Sequence, residues 1–240
     1  MGLPSPSSAD ARARLRELAD PDVARFLQGY FKTGVGEYGE GDLFVGVRVP
    51  VLRRLARELR GASIAESTVL LRAAVHEERL LALLLLADAY DRGDARTRAA
   101  IFRTYLAHTH HVNNWDLVDT SAPLIVGRHL EHRDRRVLRR LARSPMLWER
   151  RIAMVATHHF IRQDDYEDAI AIATLLLDDA HDLMHKATGW MLREVGKRHV
   201  GTLRAFLDQH AARMPRTMLR YAIERLPEPT RRAYLGVRRR

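Results

Sequence analysis

Seven consecutive residues, Asn113-Asn114-Trp115-Asp116-Leu117-Val118-Asp119, bring together two amides, an indole and two carboxylates. Asparagine suits a helix start, because its side chain accepts hydrogen bonds from first-turn amides that have no partner in the helix. A helix begun there carries Trp115 and Asp119 four residues apart on one face, one above the other. A carboxylate so placed can stabilise a developing oxocarbenium ion and orient a water for attack, the chemistry of glycosidic-bond hydrolysis. An indole adds attraction for a cation, about 0.5–2 kcal/mol by the ring quadrupole. The plain alternative is a solvated Asp119 with Trp115 closing the edge of a core. Acids are almost never fully buried unless paired, so one held beside a large aromatic surface suggests a site.

The elements that must position these residues are helices. Apolar residues recur at spacings of three and four over 11–19, 21–32, 51–59, 66–75, 77–90, 95–108, 115–130, 135–142, 145–161, 166–177, 182–199, 203–212 and 216–226. No stretch alternates with period two for long enough to read as a strand. The chain is therefore all-α. Asp20 and Pro21 are a natural cap and first residue for the second helix.

Sliding the helices over one another aligns Arg79, Trp115, Arg151, Lys186 and Arg220, at spacings of 36, 36, 35 and 34 residues. Two residues further on lie Leu81, Leu117, Ala153, Thr188 and Ala222, and three further on Ala82, Val118, Met154, Gly189 and Ile223, small or apolar as a packed inner face requires. Such a period predicts an α-solenoid of stacked antiparallel helix pairs, as in HEAT or armadillo repeats, against the alternative of an irregular bundle with a chance register. Four residues beyond the aligned position come Leu83, Asp119, Val155, Trp190 and Glu224. In stacked repeats these rows form a stripe of cations, indoles and carboxylates along one concave wall. Arg and Lys there suit phosphates, and indoles suit base or sugar faces. Within it, Trp115, Asp119, Arg151 and Trp190 are the constellation that could surround one nucleotide, with Arg151 holding a phosphate.

Composition agrees with such a partner. The net charge is +10 and the pI near 10.5, which point to a polyanion: nucleic acid first, an anionic membrane surface second. With no cysteine, disulfides and cysteine-ligated zinc are excluded. Residues 1–10 are rich in Pro and Ser, lack the apolar segment of a signal peptide and are expected to be disordered. Pro6 stands where a myristoylation signal wants Ser or Thr. The most apolar run, 80–87, is far short of the roughly 20 residues a membrane span needs. A cytoplasmic protein is expected, with residues 11–240 as a single repeat domain ending in a flexible basic tail at 236–240. Nothing in the chain signals oligomerisation, so a monomer is expected.

One long irregular stretch, 33–42, precedes Phe44-Val45-Gly46-Val47-Arg48-Val49-Pro50. Gly34, Gly36 and Gly39 match the dinucleotide fingerprint GxGxxG. A helical pattern rather than a strand leads into it, and Glu37, Glu40 and Asp42 would repel a pyrophosphate, so a structural or substrate-covering loop is the better reading. His181 and His185 have the spacing of helical zinc ligands, but with no HExxH and no third ligand in view they read as surface or capping residues. His108, His110 and His111, and His158 and His159, likewise read as surface or capping residues rather than metal ligands, and the Arg238-Arg239-Arg240 end as a frayed one.

Asn114-Trp115-Asp116-Leu117-Val118-Asp119, Trp148-Glu149-Arg150-Arg151-Ile152-Ala153 and Lys186-Ala187-Thr188-Gly189-Trp190-Met191-Leu192-Arg193-Glu194, together with Phe44 to Pro50 followed by Arg53 and Arg54, resemble the AlkD-like DNA alkylation-repair glycosylases. The resemblance runs in order over residues 30–226. It implies a HEAT-like solenoid that wraps duplex DNA on a basic concave face and hydrolyses the N-glycosidic bond of cationic N3- and N7-alkylpurines without flipping the base. It implies that Asp119 is the catalytic carboxylate, that Trp115 and Trp190 contact the sugar, that Arg151 holds a phosphate, and that Arg193, within the motif, reaches DNA. Lys186 and Arg220, cations of the aligned row, and Arg48 are further candidate DNA contacts. No metal or organic cofactor is implied. The alternative is a non-catalytic repeat protein that binds DNA or a protein on the same wall.

Overall fold

The computed structural model describes residues 5–237, so the Arg238-Arg239-Arg240 end and the first four residues of the expected disordered segment lie outside the described residues. Among the described residues the only β pairing is a single bridge between Leu43 and Val75, and the remainder is helix and loop. The contacts group the chain into two compact units, one up to Ser121 and one from Ala122.

The first unit holds α1 (Ser8–Glu17), α2 (Pro21–Tyr30), α3 (Val49–Glu58), α4 (Ile64–Leu71), α5 (His76–Arg92), α6 (Ala95–Ala107), a 3₁₀ turn (Thr109–His111) and nearly all of α7 (Trp115–Ala122). Side chains start several of these helices. Ser7 and Asp10 cap α1 reciprocally, the Ser7 hydroxyl accepting from Asp10 N at 3.1 Å and the Asp10 carboxylate from Ser7 N at 2.9 Å. The helix thus begins inside the segment expected to be disordered. Asp20 accepts from the amides of Asp22 and Val23, with Pro21 in the first turn, as the sequence predicts. α5 is the core helix: Leu80 to Leu86 are all buried, and it packs against α3, α4, α6 and α1. Apolar on every side, it has no solvent face along that run.

The second unit begins with a π-helical turn (Pro123–Gly127), α8 (Arg128–Leu130), α9 (Arg136–Ala142), α10 (Leu147–Ala156), α11 (His158–Ile161), α12 (Glu167–Leu175), α13 (Asp182–Arg198), α14 (Val200–His210), α15 (Arg216–Ile223) and α16 (Glu228–Gly236). The single helix expected over 115–130 is interrupted here because Pro123 has no amide hydrogen to donate, and the chain widens to one π turn before resuming. α16 lies beyond the last expected helix; Pro229 falls in its first turn, where a missing N–H costs nothing. α13 is the centre of this unit, packing on α15, α14, α10, α12 and α11. Its approach to α15 depends on Gly189, where a Cβ would sit 2.5 Å from the Met218 carbonyl oxygen and from Tyr221 Cβ. No helix among the described residues is long and apolar enough to cross a membrane.

Both inner rows read from the sequence are buried throughout: Leu81, Leu117, Ala153, Thr188 and Ala222, and Ala82, Val118, Met154, Gly189 and Ile223. The outer rows are mixed. Trp115, Asp119, Lys186 and Trp190 are half-exposed and Arg220 and Glu224 exposed, whereas Leu83 and Val155 are fully buried and Arg79 and Arg151 nearly so.

Candidate functional site

In the first unit the candidate chemistry sits at the start of α7. Asn114 caps it: its Oδ1 accepts from Trp115 N at 2.8 Å, and its carbonyl takes the first helical bond, from Val118 N, at 3.1 Å. Leu117 and Val118, both wholly buried, pin the inner side of the helix and leave Trp115 and Asp119 half-exposed on the other. Behind Asp119 lies Tyr105, fully buried, whose hydroxyl pairs with Ser121 Oγ at 2.9 Å while Ser121 donates to the Leu117 carbonyl at 2.6 Å. Burial, reinforced by the charge of Asp119, pushes the Tyr105 phenol well above its ordinary range. Tyr105 stays neutral beside the acid.

The indole of Trp115 is held from several sides. Phe31 stacks on it at 5.0 Å between ring centroids, and Tyr30 meets it edge-on at 6.0 Å. Its Nε1 donates to the Tyr38 hydroxyl at 3.3 Å. Tyr38 belongs to the glycine-rich loop 33–42, so that loop lies against the Trp115 segment, a placement the sequence left undecided. The loop is folded rather than slack. The carboxylates of Glu37 and Glu40 turn back to accept from Gly34 N and Gly36 N, each at 2.9 Å. Gly36 and Gly41 have φ of +77° and +84°, a backbone region open to glycine. At Gly39 a Cβ would come within 2.5 Å of the Phe31 carbonyl oxygen, so only glycine lets the loop close on α2. It follows a helix, not a strand, and the carboxylates of Glu37 and Glu40 are spent on its own amides, which fits a structural loop and not a pyrophosphate cradle.

The loop ends in a group of polar residues that sequence reasoning missed. Asp42, 3% exposed, accepts from Arg79 Nη2 at 2.6 Å and Asn113 Nδ2 at 3.0 Å, and pairs with His76 Nδ1 at 3.0 Å. The other ring nitrogen of His76 lies 2.8 Å from Asp116 Oδ2. Arg79 also donates to the carbonyls of Ala73 and Ala74, so this member of the outer row is a structural cation. Although burial opposes it, the carboxylates of Asp116 and Asp42 raise His76 to about 9. Asp42 is held below its ordinary value, His76 and Arg79 outweighing its burial. One residue on, buried Glu77 accepts from the amides of Val45, Gly46 and Val47 and fixes the segment leading to Arg48. Arg48 itself is exposed at the start of α3, beside exposed Arg53, Arg54 and Arg57.

In the second unit, Trp190 projects half-exposed from α13, its Nε1 donating to Glu194 Oε1 at 3.1 Å, with the His158 ring 5.8 Å away. Burial holds His158 below its ordinary value, against the pull of Glu194. Arg151, 5% exposed, donates from Nη1 to the Leu183 carbonyl at 2.7 Å. Its neighbour Arg150 binds Asp179 at 2.6 Å. Lys186 is half-exposed and pairs with Asp182 at 2.8 Å; Arg193 pairs with Glu224; Arg220 is exposed. His181 is a capping residue, accepting from Leu183 N at 3.1 Å.

The family model for DNA alkylation repair enzymes matches residues 11–226, most of the chain. The chain belongs to that family. A solved structure described as a predicted DNA alkylation repair enzyme from Enterococcus faecalis superposes with a TM-score of 0.66 over 88% of this chain and 97% of that one, at 16% identity, which shows a shared fold. No curated protein matches the chain. As a member of the DNA alkylation repair enzymes, the protein carries both half-exposed tryptophans and the half-exposed carboxylate within the matched residues.

Proposed function

We propose that this DNA alkylation repair enzyme is a monomeric glycosylase that hydrolyses the N-glycosidic bond of cationic N3- and N7-alkylpurines in duplex DNA, leaving the base in the helix. Asp119 is its catalytic carboxylate. The observation that carries this reading is the pairing on α7 of a half-exposed acid with a half-exposed indole one turn away, over a fully buried inner side. The chemistry asks little more. An alkylated purine already bears positive charge, so the C1′–N bond breaks with its electron pair passing to the base, which leaves neutral and needs no strong general acid. The sugar becomes an oxocarbenium ion. Asp119 stabilises that ion and orients a water whose oxygen bonds to C1′, while the water's proton passes to the carboxylate and on to solvent. Trp115 and Trp190 offer indole faces to the cationic sugar.

DNA contacts are proposed for Arg48, Arg151, Lys186, Arg193 and Arg220. The exposure of Arg48 and Arg220 supports their assignment most directly. For Arg151 the support is a guanidinium oriented by a backbone carbonyl. A HEAT-like repeat architecture with a basic DNA-binding face is part of the same reading, supported by two buried rows that recur every 34–36 residues.

Incubation with methylated duplex DNA in the presence of EDTA tests the proposal. Free N3-methyladenine and N7-methylguanine should appear, and DNA affinity should fall steeply as salt rises. Salt-sensitive binding with no base released would leave a non-catalytic DNA-binding protein.

A further inference from the structure

The Asp42–His76–Asp116 group lies beside the proposed catalytic helix without taking part in the chemistry. His76 is 1% exposed and meets a carboxylate oxygen at each ring nitrogen, at 3.0 and 2.8 Å. A neutral imidazole has one N–H and one lone pair, so only the doubly protonated ring can donate to both acids. Aromatic faces complete its surroundings: Phe44 stacks on it at 4.5 Å and Phe31 lies at 5.1 Å, an arrangement that suits a cation. The charged groups around it are Asp42 from the loop, Asp116 from α7, and Arg79 and Glu77 from its own helix. Arg79 is committed to Asp42, and Glu77 to the amides of residues 45–47.

The two acids are bound to the two parts of the Trp115 site. Asp116 follows Trp115 directly and precedes Asp119 by one turn. Asp42 ends the loop that brings the Tyr38 hydroxyl to Trp115 Nε1, and it also accepts from Asn113, just before the α7 cap. Phe31, whose ring packs tilted against His76, stacks on Trp115 as well. One imidazolium therefore ties loop 33–42, Phe31 at the end of α2 and the first turn of α7 together.

We propose that His76, as an imidazolium, is a positioning residue that clamps the glycine-rich loop to α7 and so sets the orientation of Trp115. Loss of its proton breaks one of its two bonds and sets an imidazole lone pair against a carboxylate oxygen of Asp42 or Asp116, which loosens the hold on either the loop or the helix start. The consequence for base release rests on the glycosylase reading; the consequence for the indole does not.

Nuclear magnetic resonance of the whole protein between pH 6 and 10 tests it. The His76 ring should titrate near pH 9, and the Trp115 indole N–H resonance should shift with the same midpoint. In Asp116→Asn both midpoints should move down together by about one pH unit or more. The single-turnover rate of base release should fall about tenfold or more through that midpoint, while DNA affinity holds. An indole resonance indifferent to the His76 titration overturns the proposal, as does a rate profile identical in wild type and Asp116→Asn. If the indole follows His76 but no base is released at any pH, the clamp stands and the glycosylase reading fails.

Discussion

Raising the pH through the titration of His76 should loosen the fold by an amount that the structure sets. In the folded protein this ring keeps its proton up to about 9, against an ordinary value of 6.5. Converted at 1.36 kcal/mol per tenfold change, that difference is roughly 3 kcal/mol of stability, a large share of the 5–15 kcal/mol typical of a domain. Because the folded value is raised, the contribution is fully present below pH 6.5 and is lost as pH climbs through about 9. Asp42 acts in the opposite sense: its folded value is depressed, so its contribution is present above 3.8 and disappears as pH falls. Stability from this group should therefore be greatest between about pH 4 and 6.5. Urea unfolding followed by tryptophan fluorescence at pH 6, 7.5 and 9.5 measures it, with midpoints falling and slopes unchanged if the folded state stays compact. Asp116→Asn should lower the midpoint at pH 6 and flatten the decline toward pH 9.5. A wild-type midpoint that does not change between pH 6 and 9.5 would refute a protonated His76 in the folded protein.

Two further substitutions probe the frame around the site. Glu77→Ala strips the acceptor from the amides of Val45, Gly46 and Val47 and should cost about 3–5 kcal/mol, read as a lowered urea midpoint, because each unpaired buried amide costs about 1–3 kcal/mol. Gly189→Ala places a methyl 2.5 Å from the Met218 carbonyl and Tyr221 Cβ; it should destabilise by about 1–3 kcal/mol in thermal unfolding, while Gly29→Ala, which meets nothing within 4 Å, should be neutral or slightly stabilising.

Periodicity made the helices and their inner faces legible. Leu117 with Val118, and Ala153 with Met154, are buried as their 36-residue register requires. The outer rows were less legible, because a position four residues from a buried face is exposed only where a helix has a solvent side. α5 has none along its leucine run, so Leu83 is buried and Arg79 is drawn inward to Asp42. Pro123 interrupts a pattern whose apolar spacing runs unbroken from 115 to 130, since periodicity records which faces are buried and not which amides can donate. The motif at 113–119 announced the acid and indole of the candidate site directly. Its clamp was invisible. Asp42, His76 and Asp116 meet across separations of 34 and 40 residues, and each stands in a stretch that reads locally as polar loop or helix start. The acidic glycine loop showed its need for unusual backbone, but only coordinates could show Tyr38 on Trp115.

The central claim, that Asp119 stabilises a sugar cation, is tested most directly by single-turnover base release from methylated duplex DNA with wild type and Asp119→Asn. The account predicts a rate lower by about 10²–10³-fold in the variant, in line with loss of a positioned charge in the transition state, with DNA affinity unchanged or tighter. Equal rates in the two proteins would contradict it.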